Sequence, residues 1–249
     1  MEKADLVYGI HPVQAVLENH PEQIKEIWIQ KGIHNNQIRR SVKMAESKGV
    51  VLHFTDHINM NRKAGGVHQG ILAIIQATKV YHEKDLYTLL DRLKPPFFLL
   101  LLDSITDPHN LGACLRSADA AGIHAVIAPK DRSAPLNATA KKVACGATEH
   151  LPFITVTNLV RTMEALKEYG IWLTGTADAA KQTLYETPLT GNIAFVMGAE
   201  GKGLRRLTKE HCDTLVSIPM NNTMSSLNVS VATGVCLFEA VRQRLSSSE

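Results

Sequence analysis

The chain has 249 residues, a formal net charge of +3 at pH 7 and a hydrophobic content of 45%. This size suits one large domain or two modest ones, and the small charge excludes a basic tail or an acidic block as the means of binding a partner. The longest apolar run, residues 97–102, falls far short of the ~20 residues that a membrane-spanning helix needs, and we interpret it as a buried strand.

The cysteines are dispersed along the chain. They are Cys114, Cys145, Cys212 and Cys236. Their spacing excludes the usual paired zinc ligands and gives no small disulfide framework. We therefore expect reduced thiols, in part buried, in a cytoplasmic protein that holds no metal.

Residues 1–78 show the pattern of a small α/β domain. Helical spacing marks HPVQAVLEN and NNQIRRSVKMAESKG, of which the second begins with a capping asparagine and ends at Gly49. The segments IKEIWIQKG, VVLHF and GILAIIQ are typical of strands. The polar residues 79–96 contain one short helical pattern, end at Pro95-Pro96, and are interpreted as a linker to a second domain.

From residue 97 onward, strands and helices alternate. The strand-like segments are FFLLLLD, HAVIAP, IWLTGT, IAFVMG and TLVSIPM. The helical segments are LGACLRSADAAG, LNATAKKVACGA, NLVRTMEALKEYG and a long helix from about Ser226 to Arg244. This alternation predicts a mostly parallel sheet that is covered by helices on both faces.

The stretch DSITDPHNLGACLRSADAAG, residues 103–122, brings a polar loop to the end of a buried strand. Open α/β sheets bind their ligands at that edge. Asn110 is placed to cap the helix that begins at Leu111. Arg116 lies farther along the helix among small and apolar residues, where it is either a solvated charge or an anion contact.

The stretch FVMGAEGKGLRR, residues 195–206, contains three closely spaced glycines. Its order, Gly198-x-x-Gly201-x-Gly203, reverses the spacing of the dinucleotide fingerprint, and Leu204 stands where a P-loop has lysine. Both phosphate-loop interpretations are therefore disfavoured. A backbone that a ligand can approach closely and a plain tight turn both remain open.

The stretch IPMNNTMSSLNVSVATGV, residues 218–235, opens a nearly uncharged helix, which indicates burial. Ser225, Ser226 and Asn228 at its entry need partners, and helix capping explains only one of them. The run PKDRS, residues 129–133, ends a strand at the same edge and is either a phosphate contact or an exposed charge cluster.

These three stretches, in this order, resemble the signature motifs of the SpoU/TrmH (SPOUT) family of RNA ribose 2′-O-methyltransferases. YGIHPVQAVLE and GVHQGILA resemble the family's N-terminal RNA-binding domain, which is similar to ribosomal protein L30e. The run HAVIAPKDRSAPLNATAKKVACGA resembles a bacterial branch that methylates a guanosine ribose of 23S rRNA in the peptidyl-transferase region. The resemblance covers nearly the whole chain.

The resemblance implies an L30e-like RNA-binding domain over residues 1–78 and a catalytic α/β domain with a deep trefoil knot over residues 97–249. It implies S-adenosyl-L-methionine in the knotted loops and a homodimer with the active site near the interface. The cofactor contacts that it implies are Gly198, Ile218, Leu227, Met197, Thr174 and Gly175. The active-site positions that it implies are Asn110, Arg116, Glu200, Ser226 and Asn228.

The chemistry that the resemblance implies needs no metal, because a sulfonium already makes its methyl group electrophilic. A ribose hydroxyl is a weak nucleophile until it loses its proton. The resemblance makes Arg116 the base, whereas arginine normally stays protonated in proteins. Two roles therefore remain open for Arg116: it accepts the proton, or it binds the adjacent phosphate and stabilises the alkoxide. In either case the other four positions are expected to orient Arg116 and the ribose.

Three other functions compete with this interpretation. Within the family, a tRNA ribose methyltransferase has the same motifs. A non-catalytic RNA-binding assembly factor is a different class, and the intact Arg116, Glu200 and Asn228 count against it. The glycine spacing disfavours a nicotinamide dehydrogenase.

Overall fold

The computed structural model describes residues 4–19, 21–33, 35–64, 68–76, 81–221 and 226–247. The chain separates into two compact units, Met1–Lys79 and Val80–Glu249. The predicted boundary after residue 78 lies outside the described residues.

The first unit is built on a four-stranded sheet in the order β1-β4-β2-β3. Its strands are β1 (Ala4–Tyr8), β2 (Ile24–Gln30), β3 (Val51–Thr55) and β4 (Ile71–Gln76). Its helices are α1 (Ile10–Asn19), α2 (Asn36–Ser47) and α3 (His57–Ala64), with a 3-10 turn at Pro21–Gln23. Strand β4 runs antiparallel to β1 and β2, whereas β3 runs parallel to β2.

The core of the first unit lies between one face of its sheet and helices α1 and α2. Val13 and Leu17 of α1 are fully buried against Ile27 and Ile71 of the central strands. Asn35 caps α2 by accepting hydrogen bonds from two backbone N–H groups of the first turn, which confirms the predicted cap. Strand β1 and helix α3 were not predicted from the sequence pattern.

The second unit contains an eight-stranded sheet in the order β10-β12-β9-β11-β6-β7-β8-β5, with every pair parallel. The strands are β5 (Tyr81–His82), β6 (Phe98–Asp103), β7 (Ala125–Pro129), β8 (Phe153–Val156), β9 (Trp172–Thr176), β10 (Gln182–Thr183), β11 (Ile193–Gly198) and β12 (Thr214–Ser217). The helices are α4 (Glu83–Arg92), α5 (Pro108–Ala120), α6 (Ala138–Ala144), α7 (Ala147–His150), α8 (Leu159–Glu168), α9 (Arg206–Glu210) and α10 (Val229–Ser246), with a 3-10 turn at Leu184–Glu186. Among the described residues, no helix is both long and apolar enough to cross a membrane.

Two hydrophobic layers cover the two faces of this sheet. Alternate residues of β6 point to opposite layers, so that Leu100 packs with α5 and α10 while Leu99 packs with α4 and α8. All six residues of β6 and of β11 are buried, as expected for central strands of a doubly covered parallel sheet. The predicted architecture of residues 97–249 is therefore confirmed.

The segment that the sequence predicted as a linker, residues 79–96, is instead part of the second unit where it is described. Residues 81–82 form β5, which pairs with β8 at the edge of the sheet. Residues 83–92 form α4, whose Leu86 and Leu90 are buried in the second layer. The leucine spacing marked a helix, but the polar composition hid the fact that its apolar face is covered by the sheet. The short strands β8 and β10 were also missed.

An earlier connection of this unit lies against β12 and α10. Strand β12 lies between β9 and β10, although both precede it in the chain. Residues 177–181 cross β12, and the Ala177 N–H donates to the Val216 carbonyl at 2.9 Å. Farther on, the Leu189 N–H donates to the Gln243 side chain at 2.9 Å, and Arg244 donates to a carbonyl of the same segment. The connection from β9 to β11 thus passes β12 and is tied to α10, and the knot itself stays a prediction.

The buried thiols of this unit are unreactive in their present surroundings. All four cysteines are free. Burial raises the pKa of the Cys114 thiol to about 11 and that of Cys236 to about 12. Both therefore remain protonated at neutral pH and pack as small apolar groups.

Helices α5 and α6 approach each other through a glycine. A Cβ at Gly112 would lie 2.4 Å from the Ala140 carbonyl oxygen and 2.7 Å from the Val143 Cβ. By contrast, a Cβ at Gly234 of α10 would have the Ser117 Oγ at 3.8 Å as its nearest neighbour. Both glycines are helical, so they differ mainly in the room around them.

We predict that Gly112→Ala destabilises the protein by about 1–3 kcal/mol, because the new methyl group forces the two helices apart. Gly234→Ala should be neutral or stabilise the protein by up to about 1 kcal/mol, since alanine favours the helix and finds space. Urea unfolding of both variants measures the difference. Equal stability of the two variants would show that the α5–α6 contact tolerates a side chain.

Candidate active site

A cavity of about 430 Å³ opens where β9, β11 and β12 end at the carboxyl edge of the sheet. Its wall is formed by residues 176–179, 197–204 and 216–218, and by Ser226 and Leu227 at the entry to α10. Parallel strands bring their carboxyl ends to one edge, so loops that are distant in sequence meet there. We refer to this space as the first cavity.

The loop that follows β11, residues 199–204, folds back on its own backbone and is called the glycine loop below. Ala199 and Gly203 exchange backbone hydrogen bonds of 3.1 and 2.8 Å. A Cβ at Gly198 would lie 2.1 Å from the carbonyl carbon of Gly203 and 2.3 Å from the Leu204 nitrogen. Gly201 and Gly203 have φ angles of 72° and 65°, which favour glycine. The spacing of the three glycines thus follows from the fold of the loop itself.

The first cavity brings together four of the predicted cofactor contacts. Met197, Gly198, Ile218 and Leu227 all line it. The predicted active-site residue Ser226 lies on the same wall. Ser225, its predicted neighbour, is outside the described residues.

Thr174 and Gly175 do not line this cavity, contrary to the prediction. Both are buried inside β9, and a Cβ at Gly175 would lie 2.6 Å from the Cys212 Sγ. Strand β9 continues to Thr176 before it reaches the edge of the sheet, so Thr176 and residues 177–179 form the wall instead. The predicted strand IWLTGT already ended at Thr176, and the error lay in the resemblance, which put Thr174 and Gly175 at the pocket.

Three predicted active-site residues meet through their side chains. Asn228 Nδ2 donates to Asn110 Oδ1 at 3.0 Å, and Asn110 Nδ2 donates to Glu200 Oε2 at 3.4 Å. Asn228 Nδ2 also lies 3.5 Å from the same carboxylate oxygen. This amide–carboxylate cluster joins the first turn of α5, the glycine loop and the entry to α10.

Two caps hold the cluster in place. Asn228 Oδ1 accepts from the Ser230 N–H at 2.9 Å and thereby caps α10. Helix α5 is capped by Asp107, whose carboxylate accepts from the N–H groups of His109 and Asn110. The predicted capping role of Asn110 is therefore wrong. Because Asp107 stands three residues earlier and takes that role, the Asn110 side chain is available to the cluster.

Arg116 is not brought to this cluster. Its side chain is exposed on α5, and Nη1 lies 3.6 Å from the Cys145 Sγ. Six residues separate Asn110 from Arg116, which places them about 120° apart around the helix axis. Within one chain, the expected orientation of Arg116 by Asn110, Glu200 and Asn228 does not occur.

An ion pair between a buried carboxylate and a partly exposed arginine, which the sequence did not predict, fixes the end of the glycine loop. Asp103, the last residue of β6, has a side chain that is 0% exposed. Its carboxylate accepts from the Arg205 N–H at 3.0 Å and from Arg205 Nε at 2.6 Å. The Ser104 hydroxyl is 3.2 Å from the same carboxylate. An acidic residue that ends an apolar strand, as in FFLLLLD, is the sequence feature that marks this site.

A second cavity of about 420 Å³ lies beside the first and shares the glycine loop as a wall. Residues 104–107, Asn110 and Arg132 form its other walls. Glu200 borders both cavities, so the carboxylate of the cluster stands where the two spaces adjoin.

Two family models match the chain. One is described as the SpoU rRNA Methylase family and matches residues 97–238. The other is described as RNA 2′-O ribose methyltransferase substrate binding and matches residues 6–81.

Individual proteins are similar over almost the full length. The 23S rRNA (guanosine-2′-O-)-methyltransferase RlmB of Escherichia coli (strain K12) is 59% identical over 242 residues, covering 97% of this chain and 99% of the relative. RlmB of Photorhabdus laumondii is 57% identical over 244 residues, covering 98% and 100%. The crystal structure of the SpoU methyltransferase AviRb from Streptomyces viridochromogenes, in complex with the cofactor AdoMet, has a TM-score of 0.66 at 24% identity and covers 98% of this chain and 91% of that one. The fold is therefore that of a SpoU methyltransferase.

We predict that Gly198→Ala weakens the binding of S-adenosyl-L-methionine (AdoMet) by about tenfold or more. The added methyl group must displace the backbone at Gly203, which costs about 1–3 kcal/mol and moves a wall of the first cavity. Calorimetric titration with AdoMet measures the effect. Gly191→Ala is the control, since no atom lies within 4 Å of a Cβ there. An unchanged affinity in Gly198→Ala would contradict this account of the loop.

Proposed function

The chain belongs to the SpoU rRNA Methylase family, and from this we propose that it methylates the ribose 2′-hydroxyl of a guanosine in 23S rRNA with AdoMet as methyl donor. The near-full-length identity to enzymes named for this reaction carries the proposal. The cluster of Asn110, Glu200 and Asn228 gives it a chemical centre.

The first cavity fits the cofactor in size, because pockets of about 300–1,000 Å³ are typical of small-molecule sites. Its wall combines apolar and polar groups, as a ligand with an adenine ring, a ribose and charged groups requires. Met197, Val216, Ile218 and Leu227 supply apolar contacts for an adenine ring, and the glycine loop supplies backbone groups for polar ones. When AdoMet is bound, its sulfonium supplies an electrophilic methyl group.

We assign Glu200 to accept a hydrogen bond from the ribose 2′-hydroxyl. Both amide donors of the cluster converge on Oε2, so that Oε1 has no hydrogen-bond partner among the described residues. That oxygen is available to accept the hydrogen bond of a 2′-hydroxyl, which needs to shed its proton before it attacks. Asn110 and Asn228 hold the carboxylate where the two cavities adjoin.

We propose that the chain forms a homodimer in which Arg116 of one copy acts at the amide–carboxylate cluster of the other copy. It is exposed and does not line either cavity of its own chain. Because arginine stays protonated in proteins, we assign it to bind the phosphate next to the target and to stabilise the developing alkoxide. Its place on α5 requires that this helix face the partner.

An exposed apolar stripe on α10 supports the dimer. Val231, Phe238 and Leu245 recur every seven residues and are 52%, 49% and 68% exposed. The opposite side of α10 packs into the core and against α5, where Thr233 is next to Cys114. A stripe with this spacing is suited to pack against another helix. It lies beside the helix that carries Arg116.

The two units divide the work in this proposal: residues 1–78 hold the RNA and residues 97–249 carry out the reaction. In the first unit Trp28 stacks on His53 with ring centroids 4.4 Å apart, and Lys63 Nζ lies 3.9 Å from the Trp28 ring centroid. The exposed Lys63 is suited to bind a phosphate of the RNA. Because the proposed substrate is ribosomal RNA, we also propose that the protein acts in the cytoplasm.

Incubation of a 23S rRNA transcript with methyl-labelled AdoMet should yield 2′-O-methylguanosine, and Arg116→Ala should lower kcat by at least about 100-fold. AdoMet affinity of that variant should stay within a few-fold of wild type, because Arg116 does not line the first cavity. Mass spectrometry of the nucleosides and calorimetry provide the two readouts. Full activity in Arg116→Ala would refute its assignment, and label on another nucleoside would refute the substrate.

Phe238→Asp should convert the dimer into a monomer and abolish methylation. A carboxylate in the middle of an apolar interface costs about 2 kcal/mol or more. Sedimentation measures the association state, and Tyr185→Asp serves as the control because Tyr185 is 54% exposed but lies off α10. A fully active monomer would contradict the placement of Arg116 in a partner's site.

A further inference from the structure

The proposed function involves the second cavity only through Glu200, which borders it. Its walls come from residues 104–107, the first turn of α5, the glycine loop and Arg132. Lys202 and Arg205 also line it. The space is therefore concave, next to the first cavity, and rich in cationic side chains.

Two of the three cations in this cavity have no ion-pair partner. Arg205 is paired with Asp103. In the part of the chain that the structure describes, neither Arg132 nor Lys202 forms an ion pair. The carboxylates of Asp107 and Glu200 also line the cavity, but they accept hydrogen bonds from two N–H groups of α5 and from the amide cluster. The side chains of Arg132 and Lys202 are therefore available to an anionic group that enters the cavity.

The backbone of this cavity is strained at two residues that carry side chains. Ser104 has a φ of 64° and Arg132 a φ of 60°. The left-handed conformation is disfavoured for a residue with a Cβ, whereas glycine adopts it freely. Among the described non-glycine residues of the second unit, three adopt it, and two of these line this cavity. Such strained residues are concentrated at functional sites, which indicates that the side chains of Ser104 and Arg132 serve a function there.

We propose that the second cavity is the subsite for the target nucleotide of the RNA, with Arg132 and Lys202 binding the flanking phosphates together with the Arg116 that the second copy of the chain contributes. This inference rests on the proposed function and adds the residues that seat the substrate. A ribose in this cavity meets Glu200 and Asn110 at the wall shared with the first cavity. The phosphates on either side of a ribose are the anions that two separate cations would hold.

The test uses Arg132→Gly, because glycine adopts a φ of 60° freely and the variant loses the guanidinium without added strain. We expect its KM for the 23S rRNA transcript to rise by about tenfold, since a charge-assisted contact is lost. The slope of log binding constant against log salt should fall by about 0.7, as for one single-strand phosphate. AdoMet affinity and thermal stability should not fall.

Lys202→Ala should give the same loss of RNA affinity, and Thr106→Trp should block the cavity with an indole ring. Thr106 is exposed and lines the second cavity but not the first. We expect Thr106→Trp to lose at least about 90% of its methylation rate at subsaturating RNA while it still binds AdoMet. Arg92→Ala and Lys84→Ala are matched controls on α4, outside both cavities, and should behave as wild type.

The proposal is overturned if Arg132→Gly has the same KM and salt slope as Arg92→Ala, or if Thr106→Trp methylates at the wild-type rate. It is supported if both variants lose RNA-dependent activity and keep AdoMet binding. A wild-type protein that does not methylate the transcript at all refutes the proposed function, and this proposal falls with it. Failure of the subsite proposal and failure of the proposed function are therefore distinguished by different measurements.

Discussion

The close approach of the chain to itself at Gly198 is the constraint on which the site depends. The backbone of Gly203 and Leu204 occupies the space where a side chain at Gly198 would be. Asp103 then holds the far end of the loop through the main chain and side chain of Arg205. With both ends fixed, the glycine loop forms a wall common to two cavities and carries Glu200 to the place where they adjoin.

The reactive centre is assembled from segments that are far apart in sequence. Asn110 and Asn228 are 118 positions apart, and they meet because α5 and α10 pack on the same face of the sheet. Strand β12 pairs between β9 and β10, and α10 follows it on that face. This arrangement places the third polar stretch against the first two. In the proposed dimer, the apolar stripe of α10 forms the contact between the chains, and the exposed Arg116 of one chain reaches the centre of the other.

Periodicity predicted the parallel sheet and most of its helices, because continuous apolar strands such as residues 97–102 and 193–198 can only be buried. The errors have physical causes. A polar exterior hid the buried leucines of α4. The family resemblance put Thr174 at the pocket, although it lies two residues before the end of β9 and is buried inside the sheet. The Asp103–Arg205 pair was missed because its partners are 102 positions apart, and no local pattern records such a contact.

Methylation of a guanosine ribose of 23S rRNA by this chain is best tested by mapping 2′-O-methyl groups on 23S rRNA from cells that lack the protein. One guanosine should lose its methyl group, the wild-type chain should restore it, and Glu200→Ala should not. An unchanged set of methylated guanosines in 23S rRNA would contradict it.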